Sequence, residues 1–131
     1  DVAARENGIP AAKLDPLQRA LASLHVDEVG HHSERLAGLV HTNVIRGAQS
    51  RDRTLPDLGV KKGPFYVLFM SSMSSLLVET GFVTNRDDAA LLRSAPYQRV
   101  LAERIAEGID HYRKQVELGF ASRPARPGGG R

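Results

Sequence analysis

Cysteine is absent from the 131 residues, which excludes disulfides, thiolate metal sites and a cysteine nucleophile. No apolar run approaches the roughly 18–20 residues of a membrane span. The longest candidate, Phe65–Met70, has the length of a strand. No G-x-S-x-G elbow surrounds Ser71, Ser72, Ser74 and Ser75, so a serine hydrolase is not indicated. There is no internal repeat. The opening "DVAARENG" has no initiator methionine, basic n-region or apolar h-region. The expectation is a piece of a longer polypeptide, in which a missing signal peptide carries no information on location.

Hydrophobic residues at 41% and charged residues at 25% are ordinary for a globular domain, and the length suits one domain with a real core. The net charge of +3 and the pI near 9.6 invite a nucleic-acid partner. Position argues against one. The final "RPARPGGGR" holds Arg123, Arg126 and Arg131 and no acid. Without those three, 15 basic side chains face 15 acidic ones, so the body is neutral and lacks the one-faced basic footprint of a nucleic-acid binder.

Pro16 followed by "LQRALASLH" predicts a short helix with Asp15 as N-cap. The polar "VDEVGHH" interrupts. Ser33 then opens a second helix with Leu36, Leu39, Val40, Val44 and Ile45 on one face, fading near Gly47–Ser50. "SRDRTLPDLGVKKGP" is a loop by composition. "FYVLF" (Phe65–Phe69) and "LLVE" (Leu76–Glu79) read as short buried strands, and neither alternates polar with apolar. Asn85 with Asp88 caps a short helix through Leu92. A long helix follows from Ala95 to Val116, with Tyr97, Leu101, Ile105, either Gly108 or Ile109, and Tyr112 as its stripe. The composition from 122 to 131 predicts a disordered Arg/Pro/Gly tail. The expected class is α/β: the C-terminal part, residues 1–121, of a helix-flanked, mostly parallel sheet domain, with two short buried strands and about four helices.

The ordered set "DLGVKKGPFYVL", "LLVETGF" and Asn85, running on to "IDHY", resembles the C-terminal part of the zinc-dependent N-acetylmuramoyl-L-alanine amidases. Upstream, "AARENG", "LQRAL" and "SERLAGLV" extend the resemblance over most of the chain. Ser74 departs from it, standing where the family usually has proline before the second strand. The resemblance implies a hydrolase of the amide between the muramic-acid lactyl group and L-alanine in peptidoglycan. It also implies a periplasmic or cell-envelope location. One zinc is implied, held by two histidines and a glutamate from an N-terminal half. Neither the "GHGG"-type loop nor the second histidine motif of that half is found. "HTN" at His41–Asn43 imitates the latter but falls inside an amphipathic helix and is not assigned as a ligand. No metal ligand and no substrate-binding residue is assigned in this chain.

The family's second functional glutamate maps onto Glu79, which is expected to be catalytic. Amide hydrolysis needs a carboxylate that takes a proton from water and passes it to the leaving amine. Ligands of open α/β sheets gather at the carboxyl ends of strands, which is where "LLVE" places it. On spacing alone, a structural ion pair or turn cap is the commoner use of such a residue. The resemblance reverses that order.

Thr80, Gly81 and Phe82 are expected to shape the turn, with Gly81 allowing a positive φ, and Asn85 to cap rather than bind. His31 and His32, beside Asp27 and Glu28, read as a solvated loop, and His25 and His111 as ordinary helical residues. The segment Leu14–Gly30 stands open between a plain packing helix and a lid or activator-binding element, as the longer relatives imply. A reading from another class stays open too: a truncated or degenerate, non-catalytic fragment that binds peptidoglycan or a division-associated partner.

Overall fold

The computed structural model describes residues 28–63, 65–69 and 71–121. Among them are four helices: α1 (Glu28–Gln49), α2 (Tyr66–Phe69), α3 (Arg86–Leu92) and α4 (Ala95–Ala121). The expected helix at Pro16, the body of the Leu14–Gly30 segment and the 122–131 tail lie outside the described residues.

Two long helices, α1 and α4, pack antiparallel and hold most of the core. Leu36 and Val40 sit one turn apart on α1, with Ala48 two turns further on, and all three are buried. Tyr97 and Leu101 answer them from α4. Burying a leucine or valine side chain stabilises by about 1.5–3 kcal/mol, and an alanine by less. Val40 faces Gly108, Gly47 faces Val100 and Arg104, and His32 reaches Tyr112. Rising numbers in α1 therefore meet falling numbers in α4. The position left open between Gly108 and Ile109 resolves to Gly108, which is buried while Ile109 is exposed. The reason is steric: a Cβ on Gly108 would lie 2.5 Å from the Val40 Cα, so only glycine lets the two backbones approach this closely.

Several expectations are corrected. The α/β class does not hold, because no strand or sheet occurs among the described residues. "FYVLF" forms the single turn α2, in which Leu68 N–H donates to the Phe65 carbonyl and Ser71 N–H to that of Leu68. A lone strand leaves its backbone groups without a ladder, and local turn bonds answer that need. Leu76–Glu79 pairs with no strand among the described residues either. Leu76 and Val78 are half-buried while Leu77 and Glu79 are exposed, the period-two pattern of an extended segment lying on one surface. Its second face is open rather than covered. Helix α1 begins by Glu28 rather than Ser33, so His31 and His32 are helical and not in a loop. Helix α4 runs on past Val116 and Gly119 to Ala121.

Candidate active site

Glu79 sits on the extended segment between α2 and α3. The upstream end of that segment is fastened twice. Ser75 N–H donates to Ser33 Oγ at 3.1 Å, and Ser74 Oγ lies 2.7 Å from the Tyr112 hydroxyl. Tyr112 in turn stands 3.3 Å from His32 Nδ1. Two members of the serine cluster thus fasten the segment, Ser74 by its hydroxyl to α4 and Ser75 by its backbone N–H to α1, while Ser71 bonds locally to Met73. Ser74, the departure from the family pattern, makes one of the two fastenings.

The downstream end is closed by α3. Asn85 Oδ1 accepts from the N–H groups of Asp87 and Asp88, at 2.9 and 3.1 Å, the expected N-cap. Asn85 N–H donates to the Phe82 carbonyl, closing a tight turn. Asp88 Oδ2 accepts from Phe82 N–H at 2.9 Å. Gly81 holds φ +149°, a conformation L side chains rarely adopt, as its place in the turn led one to expect. Leu91 and Leu92 of α3 pack on the cluster of Ala48, Tyr97 and Leu101, which ties the whole turn to the core. Burial first, then the negative charges of Asp88 and Asp52, push the Tyr97 phenol up.

Between these fastenings the Glu79 carboxylate is exposed to solvent and makes no hydrogen bond or ion pair with the described residues. The bland alternative, a structural ion pair, is therefore not found among them.

His41 is in α1, as its helical setting required. Its Nε2 lies 2.7 Å from Asp57 Oδ1, which also accepts from Gly59 N–H at 2.9 Å. The Gly59 amide and then His41 hold the Asp57 carboxyl below the usual range. Since Asp57 is an acceptor, His41 Nε2 carries the proton, and the pair tethers the 57–59 turn to α1. Sequence reasoning missed this contact and the burial of Asn43, whose amide donates to the Leu39 carbonyl at 2.8 Å and lies 3.5 Å from His111 Nδ1. Neither leaves a local sequence signal, because both partners come from packing.

A shallow groove of about 320 Å³ opens between Val29, His32, Met73, Tyr112 and Val116. Glu79 does not line it. Among the described residues no three histidine, aspartate or glutamate side chains converge as a metal site would require. The donor set for zinc does not fit these residues.

Residues 20–111, which include Glu79, match a family described as N-acetylmuramoyl-L-alanine amidase. The chain belongs to that family. It is 43% identical over 89 residues to the uncharacterized protein YqiI of Bacillus subtilis, covering 68% of this chain and 41% of that relative. It is 40% identical over 83 residues to the N-acetylmuramoyl-L-alanine amidase LytC of the same organism, covering 63% of this chain and 16% of that protein. With AmiA of Escherichia coli, also an N-acetylmuramoyl-L-alanine amidase, it shares 40% identity over 52 residues, or 40% of this chain and 18% of the relative. The chain thus spans less than half the length of these relatives. No solved structure matches it significantly.

Proposed function

We propose that this chain is the part of a zinc-dependent peptidoglycan amidase that supplies the catalytic carboxylate, Glu79. Substrate is the amide between N-acetylmuramic acid and L-alanine, and the site of action is the cell envelope. The observation that carries the reading is the placement of Glu79: inside the matched span, exposed, and on a segment fastened at both ends. Preorganised positioning of this kind is what proton transfer needs.

In the reaction, a water oxygen bonds to the lactyl carbonyl carbon and the carbon–nitrogen bond breaks. Glu79 accepts the proton that the water loses and delivers it to the alanine nitrogen, leaving a carboxylate and a free amine. The ligands of the metal lie outside the described residues, and no step is assigned to them.

The test is Glu79→Gln in the full-length parent enzyme, assayed for release of L-alanyl amino groups from muramoyl peptide. Hydrolysis should fall about 10²- to 10⁴-fold, the usual contribution of a positioned acid–base group, with zinc content unchanged. Undiminished hydrolysis at full zinc loading overturns the reading.

A further inference from the structure

The sequence pairs Asn85 with an acid three residues on, the spacing of a capping box. In that motif the acid reaches back to the N–H of the capping residue itself. Here the Asn85 N–H is already engaged by the Phe82 carbonyl. The Asp88 carboxylate reaches further back and takes the N–H of Phe82 at 2.9 Å. That amide is three residues beyond Glu79.

We propose that Asp88 is a positioning residue for Glu79, closing the turn that carries the catalytic carboxylate; this rests on the catalytic reading of Glu79. A bond from a backbone amide to a carboxylate is charge-assisted and stronger than a neutral one. It falls where the backbone is least constrained, since Gly81 is the residue between Thr80 and Phe82 and holds φ +149°. A Cβ built on Gly81 would stand 3.3 Å from the Asp88 Cβ and Oδ2, so the turn lies directly against this side chain. Helix capping is not the task of Asp88, because Asn85 Oδ1 already serves the first turn. Without the carboxylate, Phe82 N–H turns to water and the glycine hinge frees the segment on which Glu79 is mounted.

The experiment uses the full-length enzyme. Asp88→Ala should lower kcat about 10- to 100-fold, the cost of a misplacement of about 1 Å, with KM changed less than about threefold. Asp88→Asn keeps an acceptor oxygen and should restore kcat to within about fivefold of wild type. In the Glu79→Gln background, Asp88→Ala should cost little more, because the two act as one unit. Unchanged kcat in Asp88→Ala, or an equal further loss in the Glu79→Gln background, overturns the positioning role while Glu79 stands. Full activity in Glu79→Gln overturns the catalytic reading instead. Should Asp88→Ala fold poorly, Gly81→Ala strains the same turn from the loop side, through its φ of +149° as well as its 3.3 Å approach to Asp88, and leaves the cap intact. The same loss of kcat is expected there, and wild-type kcat in a folded Gly81→Ala enzyme overturns the proposal.

Discussion

Asp110 shows what a single carboxylate gains from its neighbours on a helix. Lys114 Nζ lies 2.7 Å from its Oδ2 and Arg113 Nη2 lies 2.7 Å from its Oδ1, at the spacings that put side chains on one helical face. The Lys114 hydrogen bond first, and Arg113 second, lower its carboxyl from 3.8 to about 2. A folded-state value below the unfolded one favours the fold above pH 3.8, and that contribution is lost as pH falls from 3.8 through about 2. Because the group is on the surface, salt should weaken it. Replacing Lys114 by Met should move the carboxyl part of the way back towards 3.8, read by ¹³C titration of the Asp110 carboxyl. An unmoved value would assign the effect to Arg113 alone. At the same scale, Glu79→Gln and the Asp88 variants test the proposed division between a group that carries the proton and a group that holds it in place.

At the scale of elements, the two glycines in the α1–α4 contact predict opposite outcomes for one substitution. Alanine is favoured over glycine inside a helix by about 0.5–1 kcal/mol. At Gly47 the nearest obstacle is the Arg104 Cγ at 2.5 Å, part of a long side chain whose Nη1 bonds Glu107 one turn on along the same helix. It can swing aside, so Gly47→Ala should be close to neutral. At Gly108 the obstacle is the Val40 backbone, Cα at 2.5 Å and N at 2.9 Å, which cannot move without separating the helices. Overpacking of that kind costs about 1–3 kcal/mol, so Gly108→Ala should destabilise. Urea unfolding of both variants checks the pair, and equal effects would contradict the geometry. The helices themselves were legible in the sequence, because Leu36, Val40, Tyr97 and Leu101 follow a 3.6-residue period and Asn85 is a strong cap. The strands were misread. β-branched and aromatic residues at 65–69 and 76–79 suit a sheet, but that preference needs neighbouring strands to act; among the described residues 65–69 closes a local turn instead, and 76–79 stays extended without a paired strand. Resemblance points to Glu79 as the candidate, whereas the Asp88 bond has no such pointer, since sequence shows the cap and not which amide the carboxylate takes.

For the molecule as a whole, the stretch from 58 to 83 turns much of its apolar surface outward. Leu58, Val67, Met73, Leu77, Phe82 and Val83 are all exposed, Val83 at 79%. A scattered apolar residue is ordinary, but a concentration in one stretch is what self-associating surfaces present. The 131-residue chain on its own should bind a dye such as ANS, sediment with concentration-dependent mass, and leave muramoyl peptides uncut. A clean monomer that binds no dye would contradict the exposure, and cleavage by the isolated chain would contradict the assignment of metal ligands elsewhere.

The antiparallel contact of α1 with α4 also sets the order of events in folding. Asn43 and His111 meet across 68 positions of sequence, so no local hairpin can start the pair. Closing a loop of that size costs about 4 kcal/mol before any contact returns it, yet doubling its length adds only about 0.6 kcal/mol. Pairing of the two helices should therefore be the slow, non-local step, read as a single slow phase in stopped-flow refolding. The connection between them can lengthen or shorten in evolution at little thermodynamic cost, provided the two fastenings on either side of Glu79 are kept.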